Sequence, residues 1–199
     1  SGNYHVLAIL PRLQTATGLR QQIGELDEAT RNHIEQSRKD NDLFMKISAA
    51  SHALDAQQER ELLQKHLQVV DVTGRGVEVQ WNSAKLKSDL GELLKRVSIA
   101  PRVAADSPAG LAEMVAGALA QAGYLLDTSG HPQFVAQASM SMTDLGLKDG
   151  WYWQRGTLEI TLSETGSDRV RGTRHWNIKG NGPDKASAFR RAMDQADAI

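Results

Sequence analysis

The stretch Phe134-Val135-Ala136-Gln137-Ala138-Ser139-Met140-Ser141-Met142-Thr143 decides the fold. Phe134, Ala136, Ala138, Met140 and Met142 alternate with Gln137, Ser139, Ser141 and Thr143. A period of two puts the apolar set on one side of a pleated strand and the polar set on the other. Antiparallel sheets with one solvated face carry strands of this kind. Two later stretches repeat the pattern. Leu158, Ile160 and Leu162 alternate with Thr157, Glu159 and Thr161, and Val170, Trp176 and Ile178 are interleaved with Arg169, Arg171, Thr173, His175 and Asn177. Thr165-Gly166-Ser167 reads as the turn joining the last two, and residues 144–150 read as a linker.

On both sides of these strands the period becomes helical. Ser107-Pro108 is an N-cap followed by a first-turn proline, and Leu111, Met114, Val115, Ala118, Leu119 and Ala122 form one face. Gly123 can end that helix in the left-handed conformation, and Tyr124-Leu125-Leu126 starts a strand. Gly180-Asn181-Gly182-Pro183-Asp184 leads into a last helix with Ala186, Phe189, Met193 and Ala196 as its apolar face. Both helices can cover one face of the sheet and leave the other polar. The expected class is α+β: a two-layer domain of antiparallel sheet covered by helices on one face.

The first third reads as a long antiparallel helical hairpin. Leu13–Lys39 has no proline and places Leu19, Ile23, Leu26 and Ile34 on one stripe. Asp40-Asn41-Asp42 supplies turn and cap chemistry. A second helix from Leu43 to about Lys65 or His66 carries Ile47, Ala50, Ala53, Leu54 and Leu62. Leu67–Val72 and Val77–Trp81 read as strands, and Asn82 or Ser83 caps a helix through Arg96 with Leu86, Leu90, Leu93 and Leu94 as its stripe. The domain layout is then a strand within residues 1–10 that completes an α/β sheet, a hairpin arm over 11–66, and a sheet domain over 67–199.

Composition narrows function by exclusion. The 199 residues hold 23 Lys plus Arg against 24 Asp plus Glu, and no cysteine. A net charge of −1 excludes a bulk electrostatic grip on nucleic acid or an anionic membrane. The missing cysteine excludes disulfides, thiolate catalysis and Cys-ligated metals. The six His lack metal-ligand spacing. His33 and His52 would lie at similar heights on the two facing helices. There is no Gly-x-Ser-x-Gly or Ser-x-x-Lys nucleophile signature. Gly180–Pro183 lacks the Gly-Lys-Ser/Thr ending of a phosphate loop and reads as a turn. No enzyme, cofactor or metal is expected.

Packing leaves one feature unabsorbed, Trp151-Tyr152-Trp153-Gln154-Arg155. With Leu158, Ile160 and Leu162 facing the helices, Tyr152 joins them, and Trp151, Trp153 and Arg155 go to the open face. Pairing Ile160 with Gly172 would bring Trp153 near Lys179 and Thr157 near His175. The candidate partner-binding residues are Trp151, Trp153, Arg155, Arg169, Arg171 and His175, with Lys179 on the same face and Glu159 as partial balance.

The opening Tyr4-His5-Val6-Leu7-Ala8-Ile9-Leu10-Pro11-Arg12 resembles a stretch of the LPP-twenty family of bacterial lipoproteins, with Pro11 where an acidic residue is usual. The order of hairpin, strand and helix–sheet–helix tail is similar too. The C-terminal unit also resembles small sheet domains of flagellar and peptidoglycan-synthase-activating envelope proteins. This resemblance implies a non-catalytic scaffold or assembly module of the cell envelope, periplasmic and associated with the outer membrane. Its only membrane contact would be a lipid anchor upstream of Ser1, because Ser1-Gly2 reads as a trimmed start. A protein partner is expected, self-association is open, and nucleic acid is not expected. Two other classes stay in view. One is an inhibitor or immunity-type protein that sends the loop Gly146–Gly150 into an enzyme cleft. The other is a periplasmic ligand-binding protein that uses Trp151 and Trp153.

Overall fold

In the computed structural model, residues 11–127, 129–167 and 169–199 are described, and the expected strand within residues 1–10 lies outside them. The chain forms two compact units, Ser1–Leu93 and Leu94–Ile199.

The first unit is built on α1 (Arg12–Lys39) and α2 (Leu43–Val70). Asp42 caps α2, its carboxylate accepting the N–H groups of Phe44 and Met45 at 2.9 and 3.2 Å. Ala16 and Ile23 of α1 bury against Leu67 and Val70 of α2. The expected strand over Leu67–Val72 is therefore corrected. Leu67 and Val70 are three apart and both meet α1, and that contact outweighs the β preference of Val69 and Val70. His33 and His52 do face each other, with ring centroids 5.4 Å apart.

The stretch expected as a second strand, Val77–Trp81, pairs with no strand among the described residues. Side chains of α2 strap it down instead. Gln57 donates to the carbonyl of Trp81 at 2.9 Å, and Arg60 donates to that of Glu78 at 2.6 Å. Gln64 both donates to and accepts from the main chain of Val77, at 2.8 and 3.1 Å. Gln57, Arg60 and Gln64 are spaced i, i+3, i+7, so they share one helix face. Arg60 also reaches across to Asp27 of α1 at 3.1 Å, with neither side chain open to water. Among the described residues, Arg60 Nη1 and Gln57 Oε1 are buried without a partner. Helix α3 (Ser83–Leu94) follows. Asn82 caps it by accepting the N–H of Lys85 at 3.1 Å, and its leucine stripe is half-buried.

The second unit is the two-layer α+β domain. Its sheet has the order β2-β1-β3-β4-β5. The strands are β1 (Ser98–Val103), β2 (Leu125–Leu126), β3 (Phe134–Lys148), β4 (Trp151–Glu164) and β5 (Val170–Gly182). β3, β4 and β5 are antiparallel as expected. β1 runs parallel to both β2 and β3, so the sheet is mixed. β1 was not legible because Pro101 sits in its middle. That residue is tolerated because β2 pairs only with Ser98 and Ile99, so the missing N–H falls where that edge is open. The compact division falls near residue 93, and residues 67–93 comprise the end of α2, the strap and most of α3.

Helices α4 (Leu111–Gln121) and α5 (Lys185–Asp197) cover one face. Leu111, Val115, Ala138, Met140, Leu158, Ile178, Ala192 and Ala196 form the core there. Ser107 does not cap α4. Its hydroxyl accepts the N–H of Met140 at 3.1 Å, and Gly110, at φ +92°, precedes the helix. Gly123, at φ +89°, does end it.

The face that α5 presents is rotated from the expected one. Ala188, Ala192 and Ala196 are buried, while Phe189 is partly exposed. Two glycines explain this. A Cβ on Gly180 would lie 2.5 Å from the main-chain N of Ala192 and closer to the carbonyl of Ala188. A Cβ on Gly182 would come within 2.7 Å of the N of Ala188. The helix therefore lies directly on the backbone of β5, and only small residues fit between them.

Candidate functional site

The faces of β3–β5 follow the expected alternation. The register differs by two residues, with Gly172 opposite Leu162 and Arg174 opposite Ile160. A slip of two preserves the faces. The open face therefore carries, in paired rows, Trp153 with Asn181, Arg155 with Lys179, Thr157 with Asn177, Glu159 with His175, and Thr161 with Thr173.

At one end of this face lies a concavity of about 530 Å³ lined by Leu145, Trp153, Arg155, Asn177, Lys179 and Gln195, with Gln154 and Ile178. Trp153 is half-buried and gives a flat apolar wall, while Arg155 and Lys179 are exposed cations. Asn177 adds an amide. An indole beside two cations and an amide can stack on a planar or apolar group and hold a carboxylate next to it. No acid–base pair or nucleophile faces this concavity. No group of three metal-ligating side chains occurs among the described residues.

Leu145 enters because β3 does not stop at residue 143. It continues to Lys148 across a bulge between Asp144 and Gly146, where Gly146 takes φ +74°. Asp149-Gly150, both at positive φ, then turn directly into β4. Residues 144–150 are thus the tip of a hairpin and not a linker. An Asp-Gly pair between two strands is the strong sequence signal for such a turn.

The six candidate residues do not form one cluster. Trp153 and Arg155 share the concavity. Trp151 lies at the hairpin end, where Arg191 of α5 places its guanidinium 5.9 Å from the ring centroid. His175 lies mid-strand, 3.2 Å from Glu159. Arg171 lies at the start of β5, 3.2 Å from Glu164, and Arg169 is exposed just before it. Arg171 and Lys179 are eight residues apart on one strand, roughly 25 Å.

A second concavity, about 630 Å³, lies in the helical layer. Ala109, Gln154, Lys185, Phe189, Arg190 and Met193 line it, with Ala186. It arises from the rotation of α5, which leaves Phe189 and Met193 beside the core instead of inside it. Lys185 is committed there to Asp144, at 2.7 Å. No described helix is long and apolar enough to cross a membrane.

No family model matches the chain, and no curated protein matches its sequence. Solved structures of bacterial lipoproteins show a partial likeness. A minor lipoprotein from Acinetobacter baumannii is 12% identical, over 53% of this chain and 78% of that one, with a TM-score of 0.37. Lipoprotein GNA1162 from Neisseria meningitidis is 11% identical, over 50% and 94%, with a TM-score of 0.38. The rare lipoprotein B from Shewanella oneidensis is 12% identical, over 50% and 79%, at 0.30. At such scores none of them decides what this chain does.

Proposed function

We propose that this chain is a non-enzymatic module of the bacterial cell envelope that works by protein–protein contact, with the open face of β3–β5 as its contact surface. One observation carries the reading. The helix-covered side holds the core, whereas Trp153, Arg155 and Lys179 of the open face gather around a concavity at the edge of the sheet, where Gln195 of α5 also reaches. An aromatic wall with exposed cations beside it has the composition of an interface anchor. Placement in the envelope rests on the likeness of Tyr4–Arg12 to the lipoprotein stretch. The concavity also supports a second reading, a small acidic ligand stacked on Trp153.

The test is site-specific photocrosslinking in the cell of origin, with the crosslinker at position 155 or 179 of the full-length protein. A control carries it at position 113 on α4. The expected result is a discrete protein adduct from positions 155 and 179, absent from 113 and lost in Trp153→Ala. Equal adducts from all three positions would sink the contact surface. A free acidic metabolite recovered in place of a protein would favour the second reading.

A further inference from the structure

β5 is the last strand of the sheet, and side chains of α5 close its outer edge only near its C-terminal end. The side-chain oxygen of Gln195 accepts the N–H of Lys179 at 2.7 Å, and Arg191 donates to the carbonyl of Asn181 at 2.9 Å. Both partners come from α5. In an antiparallel strand the N–H and C=O of one residue point to the same side, and successive residues alternate. Lys179 and Asn181 therefore point outward, and so do Thr173, His175 and Asn177. No described residue bonds to the main chain of those three, and all three are exposed. Six main-chain groups in a row thus stand open, with the spacing a further strand would need.

The charge along this edge selects what can add to it. Val170–Gly182 contains Arg171, Arg174, His175 and Lys179 and no acidic residue. Arg171 is paired with Glu164 and His175 with Glu159. Arg174 and Arg169 are exposed. Two β5 edges laid together would bring two basic strands without an acidic residue side by side, and like charges across a strand pair oppose pairing. An acidic strand meets the opposite condition. The charges that keep identical edges apart are those that would draw it in.

Resting on the reading of this chain as a protein-binding module, we infer that the Thr173–Asn177 edge of β5 takes up an extended acidic segment of a partner protein as a sixth strand. Main-chain hydrogen bonds would hold it, and Arg169 and Arg174 would read its carboxylates.

The test uses the whole chain and three synthetic decapeptides. One alternates glutamate with valine, one alternates lysine with valine, and the third is the first with its alternate amides N-methylated. Binding is followed by NMR and by amide exchange. The acidic peptide should bind at least about tenfold tighter than the basic one and slow exchange at Thr173, His175 and Asn177. The N-methylated peptide should not bind. His175→Pro, which removes an outward N–H and no ladder bond to β4, should abolish binding. If that variant fails to fold, Arg174→Glu should reverse the charge preference.

Equal binding of the acidic and basic peptides, or protection elsewhere, overturns the inference. So does no binding at all, or edge-to-edge self-association seen in sedimentation. Binding that survives His175→Pro but is lost in Trp153→Ala rejects the edge and leaves the module reading intact.

Discussion

The amide oxygen of Gln195, on a helix, takes the main-chain N–H of Lys179, on a strand, at 2.7 Å. A side chain thus stands where a neighbouring strand's carbonyl would be, and β5 ends as an edge at that point.

Removing this contact has a local consequence. Gln195→Ala should speed amide exchange of Lys179 by at least about tenfold, because an open edge amide exchanges without unfolding. Ile178, inside the ladder with β4 opposite Gly156, should keep its protection. Native-state exchange read residue by residue checks this. Unchanged exchange at Lys179 would mean that the bond adds nothing to the closing of the edge.

Two glycines of the same strand should respond oppositely to alanine. In Gly180→Ala the new Cβ meets the backbone of α5 at Ala188 and Ala192, and backbone cannot move aside as a side chain can. A loss of about 1–3 kcal/mol is expected, the usual cost of overpacking. At Gly172 nothing lies within 4 Å. There alanine should be neutral or stabilise by up to about 1 kcal/mol, through a less flexible unfolded chain. Thermal melts of both variants followed by tryptophan fluorescence make the comparison.

These glycines also show which parts of the fold could be read in advance. Hydrophobic alternation assigned the faces of β3, β4 and β5 and placed Trp153, Arg155 and Lys179 on the open one. It could not fix the register, since a slip of two leaves every face unchanged. Gly180 and Gly182 fix instead how closely α5 seats on β5, a contact that appears only in three dimensions. The same contact turns Ala188 and Ala192 inward, where the apolar pattern favoured Phe189 and Met193, and Ala196 is common to both faces. β1 was hidden by Pro101, and the strap over Val77–Trp81 by its dependence on Gln57, Arg60 and Gln64. The Asp149-Gly150 pair does carry a hairpin signal in the sequence. Of the candidate site, the face was readable and the scatter of its six residues along the strands was not.

In the first unit, Arg60 is the group most exposed to failure. Its guanidinium, out of water, bridges Asp27 of α1 and the carbonyl of Glu78 in the strap. Asp27→Asn leaves that charge without its counter-ion, and a broken buried pair costs about 3–5 kcal/mol. Exchange protection in α1 and α2 should fall together with that of Val77, while the core of the second unit around Ile178 keeps its own. Loss of protection in the strap alone would show that the pair anchors the strap and not the hairpin.

The pair formed by Lys185 and Asp144 contributes to the acid end of the second unit's stability, as do the lowered carboxyls of Asp127 and Asp184. Their contact is 2.7 Å, and the main-chain N–H of Gly146 donates to the same carboxylate at 2.8 Å. The Lys185 hydrogen bond, followed by the Gly146 N–H, holds the carboxyl of Asp144 below its ordinary value of 3.8. A group held low when folded stabilises the fold at every pH above its unfolded value. That contribution fades as pH falls through the folded value. Lys185 is the mirror case. Asp144 raises its pKa above 10.5, so its share is complete below 10.5 and is lost as pH climbs past the folded value. Lys185→Met should therefore move the Asp144 titration upward, yet leave it below 3.8 because the Gly146 bond remains. The acid limb of the stability curve should flatten in the same variant. Carbon-13 carboxyl shifts recorded from pH 2 to 6 would show this, and an Asp144 titration unchanged by the substitution would assign its shift to the bulge amide alone.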